Sequence, residues 1–138
     1  MTGRWLVAPL AMIVALVIAP PVADACRCRP PAPAKAAAGA DVVFVGTVTA
    51  VDAPAVGRGV VGTVAVDRVW KGQVGTTVSI HDSPTSCGRG LTAGERLIVM
   101  ARRDGDRLTV RQCDGTQRAT AKVERLLTRR LGAPRAPS

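Results

Sequence analysis

Aromatic residues are nearly absent from this chain: no tyrosine, one phenylalanine and two tryptophans occur among its 138 residues. Proteins that grip single-stranded nucleic acid stack bases on aromatic side chains as well as using positive charge. A net charge of +9 and a pI near 11.0 therefore do not by themselves point to nucleic acid as a partner, and none is expected. Phe44 and Trp70 each lie in an apolar run, where core packing is the expected role. Histidine is scarcer still. His81 is the only one, at the end of an expected strand, with no second histidine or nearby cysteine to complete a metal site. Neither a metal of its own nor a cofactor is expected. No nucleophile elbow is visible, and Gly88-Arg89-Gly90 is too short a glycine pattern to cradle a phosphate. The aspartates fall mostly at expected strand edges and turns, where that residue is commonplace. With no catalytic constellation in sight, the chain reads as a binder and not an enzyme.

Four cysteines are present: Cys26, Cys28, Cys87 and Cys113. What precedes them gives them their meaning. Arg4, an apolar run from Trp5 to Ala19, and the small-x-small exit Ala23-Asp24-Ala25 form the layout of a secretory signal peptide, residues 1–25. The run is shorter than the roughly 20 residues that span a bilayer, and Pro20-Pro21 ends it. Lipoprotein processing at Cys26 is the weaker reading, because the site lacks a large aliphatic residue and contains an acid. The expected product is secreted, without a membrane anchor, and monomeric. It holds 113 residues in one domain (26–132) with a disordered tail (133–138). An even cysteine count in an exported chain implies two disulfides, and the sequence leaves all three pairings open. Zinc fits less well, since structural zinc sites favour wider Cys-x2-4-Cys pairs.

Along the chain, Ala34 to Ala38 can form a short helix before Gly39. Asp41 to Asp52 is rich in β-branched residues and reads as a strand bent at Gly46. A hairpin loop follows at Ala53–Gly59. Strands are then expected over Val60–Trp70, Val74–Asp82, Arg96–Arg103 and Arg107–Cys113. Thr116 is placed to cap a helix running to about Leu131, stopped by Gly132 and Pro134. Its apolar positions Ala119, Val123, Leu126, Leu127 and Leu131 fall at helical spacing, while Arg118, Lys122, Arg125 and Arg129 recur on another face. That basic face is either a solvated surface or a site for an anionic cell-surface polymer. Five short strands with a short N-terminal and a C-terminal helix fit a mainly β fold, a small five-stranded Greek-key barrel.

Cys26-x-Cys28-x-Pro30 directly after a signal peptide, then a short helix leading into Ala40-Asp41-Val42-Val43-Phe44, resembles the start of the tissue inhibitors of metalloproteinases and the related netrin-like modules. Val69-Trp70-Lys71-Gly72, Ser86-Cys87-Gly88 and Cys113 fit the same pattern, so the resemblance spans the mature chain. It implies an OB-like barrel with bridges Cys26–Cys87 and Cys28–Cys113. It also implies that the free α-amine and carbonyl of Cys26 chelate the catalytic zinc of a secreted metalloprotease. An α-amine has a pKa of about 8, and only its neutral form binds metal. By the same resemblance Arg27 would enter the pocket beside the zinc. Arg29, Pro30 and the loop residues Thr85, Ser86, Cys87 and Gly88 would lie alongside it as an inhibitory edge. The chain departs from the family at Arg27, where a small threonine or serine is usual, and in lacking a third disulfide and a second domain. Other netrin-like modules bind partners without inhibiting anything.

Overall fold

The computed structural model describes residues 26–53, 59–85 and 87–138. The expected signal peptide, most of the Ala53–Gly59 loop and Ser86 lie outside the described residues. Helix α1 (Pro33–Gly39) precedes strands β1 (Val42–Asp52), β2 (Val60–Lys71), β3 (Thr77–Asp82), β4 (Arg96–Asp104) and β5 (Arg107–Val110). A two-residue strand β6 (Gln117–Arg118) and helix α2 (Ala121–Leu131) follow.

The first five strands close a barrel in the order β1-β2-β3-β5-β4, and β4 returns to β1 through six residue pairs from Val42–Ala101 to Thr47–Arg96. Every neighbouring pair is antiparallel except β3 and β5, which run parallel through only three pairs, Ile80–Leu108, His81–Thr109 and Asp82–Val110. This is the expected OB-like architecture, with its two helices and two disulfides. β1 pairs with β2 along one edge and with β4 along the other. Register shifts interrupt its ladder with β2 at Val43/Phe44, Val45/Gly46 and Val48/Ala50, and such bulges increase local twist. Gly46 has a steric reason to be glycine: a Cβ there would lie 2.4 Å from the Ala65 carbonyl oxygen.

Two apolar clusters explain why the central runs of β1 and β4 are almost uninterrupted in hydrophobicity. Phe44, Val64, Ile80, Leu97 and Val99 fill the barrel, while Val43, Val45, Ile98 and Met100 point outward and are covered by the helices. A strand buried on both faces reads as a continuous run and not an alternating one. Over Gly62–Val66, β2 is covered on one side only, so Gly62, Val64 and Val66 are buried while the residues between them are less so; at Val69 and Trp70 both faces are buried. Trp70 is 5% exposed, and its indole Nε1 donates to Thr128 Oγ1 at 3.0 Å, tying α2 to the sheet. Leu127 is fully buried against Ala36, Ala37 and Trp70, with Val123 and Leu131 packed beside it.

Four expectations need correction. Thr116 is not a helix cap. It is buried, its Oγ1 accepting from the Met100 backbone N–H at 2.9 Å, because Gln117 and Arg118 pair with Ile98 and Leu97 before the chain can turn into a helix. The cap is Thr120, whose hydroxyl accepts from Val123 N–H. β3 begins at Thr77 and not Val74, and β5 ends at Val110 and not Cys113. A turn in which Asp114 N–H donates to the Arg111 carbonyl, at 3.2 Å, swings Cys113 out of strand geometry. Finally, residues 133–138 are not a frayed tail. Arg135 exchanges two backbone hydrogen bonds with Val69, both 2.9 Å, and Ser138 N–H donates to the Val74 carbonyl at 3.0 Å. They cover the part of β2 that β3 leaves unpaired.

Candidate functional site

The chain turns sharply at its first described residues. Cys28 N–H donates to the Cys26 carbonyl at 3.2 Å, an i to i+2 contact. An extended Cys-x-Cys would present both sulfurs on one face; the turn sends them to different partners. Cys26 bonds Cys87 with a Cα–Cα separation of 5.1 Å, and Cys28 bonds Cys113 at 5.7 Å. The Cys87 carbonyl accepts from Gln112 N–H at 3.0 Å, so the two receiving cysteines are held side by side. Arg27, Arg29 and Pro30 are exposed, and the half-buried Cys26 and Cys28 flank Arg27.

The loop that receives Cys26 is organised by Asp82. This carboxylate, 4% exposed at the end of β3, accepts three backbone N–H groups: Ser83 at 2.9 Å, Arg89 at 2.8 Å and Gly90 at 2.7 Å. Thr85 adds a local turn, its Oγ1 accepting from Cys87 N–H at 3.2 Å while its carbonyl accepts from Gly88 N–H at 2.9 Å. Gly88 is required by space. A Cβ there would lie 2.5 Å from the Ser83 carbonyl oxygen and 3.3 Å from both Asp82 carboxylate oxygens. The far side of the loop is fastened by Arg89, whose guanidinium meets Glu95 at 2.9 and 3.2 Å and donates to the carbonyls of Gly90 and Thr116. The Arg89 hydrogen bond holds the Glu95 carboxyl below its ordinary value against the opposing effect of burial, and Arg118 adds to it. Asp114, beside Cys113, is pushed the other way by burial, partly offset by the charges of Arg102 and Arg111.

The structure therefore brings Cys26 and Cys28 together with Cys87, Gly88 and Thr85, while Ser86 lies outside the described residues. It does not unite the four expected polyanion residues on one helix. Arg118 belongs to β6, with its Nε 3.3 Å from Glu95, whereas Lys122, Arg125 and Arg129 are exposed on α2. Glu124 interrupts that surface and draws in both Arg68 and Arg96. Sequence reasoning passed over Asp82, Arg89 and Glu95 as anchors of this loop, and it gave Thr116 the role of a helix cap in place of its buried contact with Met100. For Asp82 a signal existed in Asp82-Ser83-Pro84-Thr85, whose residue types cap turns. For Arg89 and Glu95 there was none, because their pairing depends on where the loop folds back.

Among the described residues no three His, Cys, Asp or Glu side chains group as a metal site, and no helix is long and apolar enough to cross a membrane. The fold and the site together define a disulfide-clamped OB-like barrel in which one chain segment is bridged to the loop that Asp82 organises. Comparison with protein-family models gives no match to this chain, and comparison with curated proteins gives none either.

Proposed function

We propose that the protein is a secreted inhibitor-like module whose Cys26 amino end caps the catalytic zinc of a metalloprotease. The observation that carries this reading is the pair of bridges, Cys26–Cys87 and Cys28–Cys113, which fix the first residues of the mature chain against the loop that Asp82 organises. A backbone held at both cysteines has little ordering entropy left to lose on docking, so more of the contact energy appears as affinity. The signal-peptide pattern before Cys26 supports secretion and a free α-amine, and paired disulfides suit an oxidising compartment. Arg27, exposed between the two cysteines, is a long cation where the related inhibitors carry a small side chain. Burying it in an apolar pocket costs several kcal/mol unless an acid meets it. The proposed target therefore has a carboxylate in the pocket next to its zinc.

The test compares protein beginning at Cys26 with a variant carrying one extra alanine before it, against a panel of secreted zinc endopeptidases cleaving fluorogenic peptides. The extension places an amide where the amine should chelate, so inhibition is expected from the first protein alone. Equal inhibition by both overturns the reading.

A second reading, a non-inhibitory module that binds an anionic cell-surface polymer, is supported by the exposure of Lys122, Arg125 and Arg129, none of which has an ion-pair partner among the described residues. Its signature is binding that weakens steeply with salt.

A further inference from the structure

The barrel closes between β3 and β5 through only three parallel residue pairs, as few as join β4 to β5. A cleft of about 590 Å³ opens along that seam. His81 and Thr109 face each other across it as register partners. Their neighbours Ile80 and Leu108 are buried in the barrel, so strand alternation turns His81 and Thr109 outward. Arg107 shares that outward face of β5, and Arg111, one residue past its end, lines the cleft too.

The charge inside this cleft is one-sided. Its lining carboxylate, Asp82, is buried and already accepts three backbone N–H groups. Arg107 and Arg111 have no ion-pair partner within 4 Å among the described residues, although Arg111 shares its field with Asp114. On the α2 side, by contrast, Glu124 sits among the cations. Residues 107 and 111 are four apart, up to roughly 13 Å along extended backbone, so their guanidinium groups suit two anionic groups better than one. A sulfate or phosphate ester has enough terminal oxygens to meet an arginine fork and still accept from the Thr109 hydroxyl or the His81 ring. Val61 and Pro84 offer apolar surface for the body that carries those esters. The volume matches one or two sugar-sized rings.

We infer that the β3–β5 cleft binds a small multivalent oxyanion, sulfate or phosphate esters carried on a sugar or polyol ring, through Arg107, Arg111 and the His81–Thr109 pair. This site is independent of the Cys26 end, so protein with an alanine before Cys26 binds the ligand equally well.

Calorimetric titration at about 0.15 M salt, a screening length of about 8 Å, tests it with two probes, a heparin-derived tetrasaccharide and inositol hexakisphosphate. The tighter of the two identifies the ester. Saturable one-to-one binding of at least one probe is expected, with amide NMR shifts centred on His81 and Thr109. The double variant Arg107→Gln/Arg111→Gln, exposed positions that leave the core intact, should weaken binding at least tenfold. The triple variant Lys122→Gln/Arg125→Gln/Arg129→Gln should change it less than threefold. No saturable binding of either probe overturns the inference, as does an equal or larger loss in the α2 variant.

Discussion

Replacing Cys28 and Cys113 by serine, or Cys26 and Cys87, removes one of two bridges whose ends interleave along the chain. Taken alone, closing loops of 61 and 85 residues restricts the unfolded chain by about 4.3 and 4.6 kcal/mol respectively. Neither bridge is alone. Once Cys28–Cys113 is closed, the path from Cys26 to Cys87 runs through Arg27, across that bridge and back from Cys113, a ring of about 28 residues. The other bridge closes the same ring. Either single removal should therefore cost about 3.6 kcal/mol, equal within about 0.5 despite the different sequence separations. Removing both should cost about 8 kcal/mol, enough to unfold a domain of ordinary stability. Urea unfolding followed by the fluorescence of Trp70, buried in the folded state, measures each variant. The unfolding slope should rise as each bridge is lost, because the unfolded chain expands. A gap above about 1.5 kcal/mol between the two single-bridge variants would refute the ring argument, since local contacts and not chain restriction would then dominate.

Two further outcomes follow from the loop and its anchors. Asp82→Asn turns an amide N–H toward a backbone donor and should destabilise by about 2–3 kcal/mol, with faster amide exchange at Ser83, Arg89 and Gly90; unchanged stability would show that the three N–H bonds matter little. The carboxyls of Glu95 and Asp114 should respond to pH with opposite signs. Glu95 is depressed in the fold, so its contribution is present above about pH 4.5 and fades as pH falls through the lower folded value; the stability lost in Glu95→Gln should shrink in acid. Asp114 is raised, so its contribution is complete below about pH 3.8 and is lost as pH rises through the higher folded value; Asp114→Asn should stabilise at neutral pH, and a variant less stable there would reverse that assignment.

How far the sequence disclosed this structure depended on the range of the interactions involved. β1 and β4 were legible because their double burial writes long apolar runs into the chain, and the bend at Gly46 was legible because a glycine interrupts such a run. The start of α2 was not. Thr116 and Thr120 both qualify as caps from neighbouring residues, and what separates them is the pairing of Gln117 and Arg118 with a strand some twenty residues earlier. The closing segment was misjudged for the same reason, since Arg135 and Ser138 acquire partners only because β3 starts late and leaves part of β2 open. In the candidate edge the cysteines were visible, whereas the anchors Arg89 and Glu95 were not, because surface arginine and glutamate are ordinary until a fold sets them 2.9 Å apart.

The interleaving of the bridges also governs what a protease can do to this molecule. Any single cut in the backbone between Cys28 and Cys87, including the β1–β2 connection, leaves an upstream piece joined to the downstream piece by both disulfides. A cut between Cys87 and Cys113, where β4 and β5 meet in the Asp104–Arg107 turn, still leaves one covalent link. The segment Cys26–Cys28 thus acts as a rivet through the fold, and one nick in any loop between Cys28 and Cys113 yields a two-chain molecule that stays covalently joined.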